Sequence, residues 1–370
     1  ITNGYYDGGG STYNGAGVLI DGADPVIRSC VIRDNYISWY GGGICIKNPC
    51  SPTLDNVIIT NNHSDHHGGG IAILDATPVM TNTLIYSNST GEKGGGFYAL
   101  GANASASITN CTIVENFAVG YNNHWGGAIY TSGGASVDLL NTIIWGNTPN
   151  EIDDELYVDQ AVNYSCIQGG YPGAGNINTD PLFSDPGAGN YTLSDFSPCI
   201  GIGLDTTIVP ITDIDGNPRP NPSGSNPDMG AYENPLGTPQ HMPITINIPD
   251  DYANIQAGLN AADSTDTVLV QPGTYYENII WPQTNGIKLI SAGDSSNTII
   301  DGGQTGRVIY IGLEFTETID TTTQIVGFTI QNGNASSTGG GIKISDSSPK
   351  LSYLNIKNNT APDGGGIGIN

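Results

Sequence analysis

The chain has 370 residues with 53 Gly and 22 Pro, but only 12% charged and 8% aromatic residues, a composition that excludes a helical bundle. Ten basic side chains against 35 acidic ones give a formal charge of −25, which excludes nucleic acid as a partner because phosphate binding depends on Lys and Arg. No run of about 18 apolar residues occurs, so no membrane insertion is expected in this segment.

From residue 1 to about residue 150 the chain repeats itself. A glycine signature recurs at Gly15 (GAGVLI), Gly41 (GGGICI), Gly68 (GGGIAI), Gly94 (GGGFYA) and Gly126 (GGAIYT), at spacings of 26, 27, 26 and 32 residues. Between the glycines lies a second motif: VIRSCVIRDN from Val26, TLDNVIITNN from Thr53, VMTNTLIYSN from Val79, SITNCTIVEN from Ser107 and DLLNTIIWGN from Asp138. Its second position is always apolar (Ile27, Leu54, Met80, Ile108, Leu139) and its seventh is always Ile (Ile32, Ile59, Ile85, Ile113, Ile144). Alternation with period two over such short runs predicts strands. A repeat of this length stacked on itself predicts a solenoid in which equivalent residues meet at the ~4.8 Å strand spacing.

Two asparagine columns punctuate the strands. The fourth position is Ser29 and then Asn56, Asn82, Asn110 and Asn141; the tenth is Asn35, Asn62, Asn88, Asn116 and Asn147. Asn tolerates the left-handed region and bonds nearby backbone, so both columns are expected at turns, with amide ladders along the axis. The glycines mark a further corner.

Residues 151–236 break the period, with DPLFSDPGAGNYTLSDFSPCIGIG from Asp180, DIDGNPRP from Asp213 and DMGAYE from Asp228. A linker is expected over 237–246. From 247 to 370 the pattern restarts: an amphipathic helix over Tyr252–Ala262, apolar at Ile255, Leu259 and Ala262, then DTVLVQPGTYYENI and glycine corners at Gly339 and Gly364.

These motifs resemble the right-handed parallel β-helices of the pectate-lyase-like superfamily. The implied fold is all-β: two partial β-helix units joined through a closing module and a short capping helix. Residues 1–150 would be the C-terminal coils of a first β-helix, and 247–370 the capping helix and first coils of a second. The segment 151–236 is similar to the closing module called choice-of-anchor Q, common in secreted or surface-attached bacterial proteins. Aligning ITNG at Ile1 with IQNG at Ile330 displaces the chain by 329 residues. Two explanations stay open: tandem copies in a longer chain, or separate chains stacked head to tail.

Candidate chemistry is sparse. A pectate-lyase-like site would need a basic residue beside a carboxylate cluster; Arg28 and Arg33 lie close in sequence, but the charge of −25 repels an acidic polymer. Fragments at Asn178–Asp180 and Asp153–Asp154 match pieces of a polygalacturonase-like pattern, without the Gly-His-Gly or Arg-x-Lys that belong with it. His63, Asp65, His66 and His67 cluster before a glycine corner and read as an exposed polar turn, with metal binding as the alternative. Asp213, Asp215 and Asn217 alternate as in a Ca²⁺ loop, although Gly216 stands at the fourth position and Pro218 follows; calcium is the one cofactor this pattern offers. Cys30 and Cys111 occupy an inward column, Cys45 and Cys50 are candidates for a local bridge, and Cys166 and Cys199 are the expected disulfide.

No catalytic constellation emerges. The expected function is an extracellular or cell-surface structural protein, a fibre or stalk built from stacked β-helix. The alternatives are a carbohydrate-binding β-helix using Tyr98, Trp125, Tyr130 and Trp145 on its lateral face, and a polysaccharide lyase or hydrolase. Expected partners are further copies of the chain and, in the alternatives, polysaccharide.

Overall fold

The computed structural model describes residues 1–6, 14–119, 125–149, 152–154, 161–312 and 319–370. They form two compact units, Ile1–Gln240 and His241–Asn370. Among the described residues no helix is long and apolar enough to cross a membrane.

In the first unit the chain winds through parallel sheets. Sheet 1 stacks Val18–Asp21, Ile44–Lys47, Ile71–Leu74, Phe97–Leu100, Ile129–Ser132 and Ile152–Asp154. Sheet 2 stacks Val26–Arg28, Thr53–Asp55, Val79–Thr81, Ser105–Thr109, Ser136–Leu140 and Val162–Asn163. Sheet 3 stacks Val31–Arg33, Ile58–Thr60, Leu84–Tyr86, Thr112–Val114, Ile143–Trp145 and Cys166–Ile167. A fourth sheet of two-residue strands runs through Tyr5–Tyr6, Tyr36–Ile37, His63–Ser64, Ser89–Thr90 and Phe117–Ala118. This is a parallel β-helix, as the repeat predicts.

The seventh-position isoleucines stand in register, Ile32 on Ile59, Ile85, Ile113 and Ile144. All five are fully buried, beside the column Leu54, Met80, Ile108 and Leu139. Each such side chain contributes about 1.5–3 kcal/mol relative to exposure, so one coil is held mainly by the two that flank it.

The two asparagine columns differ physically. Asn56, Asn82, Asn110 and Asn141 all have positive φ, between 45° and 54°, and form the corner between sheets 2 and 3. The tenth-position asparagines do not have positive φ; the residue before each does (Asp34, Asn61, Ser87, Glu115, Gly146). Asn62, Asn88 and Asn116 instead point into the coil. Asn88 Nδ2 donates to the Ile59 carbonyl (2.9 Å) and to Asn116 Oδ1 (3.0 Å), while its Oδ1 accepts from Asn62 Nδ2 (2.9 Å) and from the Asn62 backbone N–H (3.0 Å). The rung repeats from Asn35 to Asn147. Glycine is required next to it: a Cβ on Gly69 would lie 2.2 Å from the Ser89 carbonyl oxygen.

The segment 178–240 follows the last coil strands, belongs to the first unit and lies along the flank of the coils. Asn82 Nδ2 donates to the Thr212 carbonyl, Asn110 Nδ2 to that of Asp228 and Asn141 Nδ2 to that of Leu204. Arg219, with a fully buried side chain, clamps the contact. It donates to Glu233 Oε2 (2.9 Å), Asn82 Oδ1 (2.9 Å) and the Gly230 carbonyl (3.1 Å).

The second unit is built likewise from parallel sheets beginning at Thr245–Ile248, Gly273–Tyr276 and Ile279–Ile280. Its helix is shorter than expected, Ile255–Ala261, because Asn254 caps it, its side chain accepting from Ala257 N–H. Glu277 then accepts the N–H groups of Ile255 and Gln256, two donors the first turn leaves unpaired. Ile255 and Leu259 are buried in the same cluster as Ile248 and Val268.

Candidate functional site

The lateral surface of the first unit carries its chemistry at the glycine corner. In each coil the two residues before that corner are bulky: Trp39 and Tyr40, His66 and His67, Glu92 and Lys93. Parallel bridges align Tyr40 with His67 and His67 with Lys93, so residues 26 or 27 apart in sequence become neighbours. The left-handed glycines Gly41, Gly68 and Gly94 then turn the chain sharply into sheet 1.

Rings stack across the coils. Trp39 lies on His66 with centroids 4.1 Å apart and planes at 20°. Tyr40 meets His67 at 5.4 Å, His67 stacks on Tyr98 at 4.6 Å, and Tyr98 on Tyr130 at 6.0 Å. Small outward residues of sheet 1, Cys45 and Ala72, are buried in the same cluster as Tyr98 and Tyr130, with Tyr40 packed against it. Lys93 sits 4.6 Å over Tyr130. A second row, Tyr5 on Tyr36 (5.0 Å) and Tyr36 on His63 (5.6 Å), runs beside the first.

Carboxylates fix these rings. Glu92 spans two imidazoles, 3.0 Å from His66 Nδ1 and 3.4 Å from His67 Nε2. Asp65 accepts from the Tyr36 hydroxyl (2.7 Å) and lies 3.3 Å from His63 Nε2; His63 Nδ1 is 2.8 Å from Ser89 Oγ. Burial pulls the His67 pKa down to about 4, against the opposing pull of Glu92, so this imidazole is neutral at pH 7. Its Nδ1 is buried without a hydrogen-bond partner. Trp39, His66, Asp65 and Glu92 are each partly exposed, giving an aromatic surface rimmed by hydrogen-bonding groups.

The histidine cluster is thus a half-buried ring stack and not an exposed turn. Among the described residues no three His, Cys, Asp or Glu side chains converge as metal ligands. Of the four aromatics proposed for sugar stacking, Tyr98 and Tyr130 are 4% and 2% exposed, covered by their own neighbours. Trp145 packs towards the flanking segment and Trp125 is partly exposed. The surface Trp39, Tyr36 and Glu92 escaped sequence reading, although a bulky pair two residues ahead of each glycine corner was the available signal.

Other candidates are structural in their surroundings. The buried Asp213 carboxylate accepts from the backbone N–H groups of Asp215, Asn217 and Glu233 and from the Asn217 amide, so its oxygens already serve a turn. Arg28 pairs with Asp55 at 2.8 Å and Arg33 with Asp34 at 3.6 Å. Asp180 is exposed in the flanking segment, and the side chains of Asp153 and Asp154 lie outside the described residues. Burial, with Glu233 close by, pushes the Asp228 carboxyl up to about 7.

All six cysteines are free thiols. Cys166 and Cys199, the expected disulfide pair, are buried neighbours whose sulfurs interact directly, and Cys166 Sγ also donates to the Thr179 carbonyl at 3.2 Å. Cys45 and Cys50 do not face each other, because Cys45 belongs to the outer ring cluster and Cys50 to the coil interior. Cys111 is fully buried, its thiol pushed up to about 12 by burial, whereas Cys30 is partly exposed.

Residues 7–160 match a family model described as a right handed beta helix region. The protein is therefore a right-handed parallel β-helix over those coils. No curated protein matches the chain. Among solved structures, a mutant PL6 family alginate lyase is similar at 13% identity and a TM-score of 0.22, over 92% of this chain and 52% of that one. The chain thus spans about half the length of that lyase, and at this score the likeness bears on neither activity nor substrate.

Proposed function

We propose that the first unit is a carbohydrate-binding β-helix that holds a neutral polysaccharide along its lateral face, outside the cell or at its surface. One observation carries this reading: Trp39 stacked on His66, with Glu92 and Asp65 rimming the same partly exposed surface. Sugar C–H faces pack on such rings while hydroxyls bond carboxylates and imidazoles. Five stacked strands at ~4.8 Å spacing make a row about 19 Å long, suited to an extended oligosaccharide. The net charge of −25 favours a neutral glycan over a uronate.

The test is a panel of neutral and acidic polysaccharides measured by calorimetry, with product release followed in the same samples. Binding to a neutral glycan, weakened at least tenfold by Trp39→Ala and by Glu92→Gln while circular dichroism is unchanged, supports the reading. Equal binding by Trp39→Ala overturns it, and turnover would assign an enzyme.

A second reading, self-association, is favoured by exposed apolar side chains at outward strand positions: Val26, Val31 and Val79 are 63%, 44% and 42% exposed in the first unit. Filaments under negative stain would support it, and a monodisperse monomer across a concentration series would sink it.

A further inference from the structure

A cavity of about 270 Å³ lies where the flanking segment meets the last coils of the first unit. Trp145, Phe183 and Tyr191 contribute aromatic walls, and Glu115 and Asp180 contribute carboxylates. Phe183 packs edge-on against Tyr191, with centroids 5.3 Å apart. The Tyr191 hydroxyl donates to Glu115 Oε2 at 2.8 Å, which orients that carboxylate. No Lys or Arg lines the cavity, and no described cation pairs with Glu115 or Asp180.

Glu115 holds an unusual position. Its column is the left-handed one, occupied in the other coils by Asp34, Asn61, Ser87 and Gly146. Small polar residues and glycine suit φ near +54°; a glutamate does not.

We propose that this cavity is a second binding site, separate from the lateral face, that takes a methylated ammonium group. Aromatic rings attract such a cation through their electron-rich faces, and flanking carboxylates supply the compensating charge. Here the partly exposed rings of Trp145 and Phe183, backed by the buried Tyr191, meet two acids in one concavity, and among the described residues no cation pairs with those acids.

The probe is choline chloride, titrated by calorimetry and by tryptophan fluorescence at constant ionic strength. Saturable binding is expected, weakened about tenfold by Trp145→Leu and at least fivefold by Glu115→Gln. The neutral isostere 3,3-dimethylbutanol should not compete, and Trp39→Ala, on the lateral face, should bind choline as the unaltered chain does. Absence of saturable binding up to 50 mM choline overturns the proposal, as does equal affinity for the neutral isostere, which would make this a plain apolar cleft. Retained binding in both Trp145→Leu and Glu115→Gln would move choline elsewhere and overturn the assignment too. A lateral face that fails to bind glycan leaves these outcomes unaffected.

Discussion

His67 makes the first unit sensitive to acid, and the size of the effect follows from its pKa. Folded, the imidazole titrates at about 4 because it is buried between Tyr40 and Tyr98; unfolded, it returns to its ordinary value of about 6.5. Between those values the unfolded chain carries a proton that the folded chain refuses, so falling pH drives unfolding. The contribution is fully present above pH 6.5 and is lost progressively towards pH 4. Linkage with these two values gives a loss of about 2 kcal/mol at pH 5 and roughly 3 kcal/mol at pH 4. Glu92, Lys93 and His66 also act on this ring, Glu92 raising the pKa and the other two lowering it.

The clean perturbation is His67→Tyr, since Tyr40 occupies the same column one coil earlier and shows that a tyrosine fits the stack. Denaturant unfolding of both chains is followed by hydrogen exchange in peptides containing Ile71–Leu74, which isolates the first unit from the second. The stability difference, variant minus unaltered chain, should shift in favour of the variant by about 2 kcal/mol between pH 7 and pH 5. A difference flat with pH would refute the reasoning, as would an imidazole resonance of His67 that titrates near 6.5.

Two further outcomes test the scaffold. Asn88→Ala removes a buried side chain that serves Ile59, Asn62 and Asn116; it should cost about 3 kcal/mol by stranding those groups, read as a lowered melting temperature and faster exchange in the neighbouring coils. Arg219→Ala leaves Glu233 and Asp228 buried without their cation and should cost roughly 3–5 kcal/mol. Limited proteolysis within residues 204–234 would report the release of the flanking segment. Arg219→Lys should not restore protection, because one ammonium cannot reach Glu233, Asn82 and Gly230 in the fork geometry of a guanidinium.

The solenoid was legible in the sequence because its determinants are local and repeated. An isoleucine at the seventh position of each motif and an asparagine at its tenth describe one coil, and stacking equal coils requires no further information. The helix preceding the second set of coils could be read for the same reason, as a short run apolar at Ile255, Leu259 and Ala262, although its start at the Asn254 cap could not. The roles of the two asparagine columns could not be separated so easily. Both are Asn at a bend, yet only Asn56, Asn82, Asn110 and Asn141 adopt the left-handed conformation, while Asn62, Asn88 and Asn116 face inward.

Tertiary structure alone decided what surrounds each column. The flanking segment reaches back 130 residues to Asn82 through Thr212 and 137 through Arg219, contacts that no periodicity encodes. It converts Trp145 from a residue available to a sugar into one wall of a cavity with Phe183 and Tyr191. At the glycine corner, Trp39, His66 and Glu92 are ordinary polar-turn residues along the chain. They become one surface because coil stacking sets residues 26 or 27 apart side by side, and whether their rings then meet depends on register and on the small side chains of Cys45 and Ala72 alongside them. The sequence by itself therefore determined the coil, its core and its turns, whereas the site depends on contacts between coils and on which flank is covered.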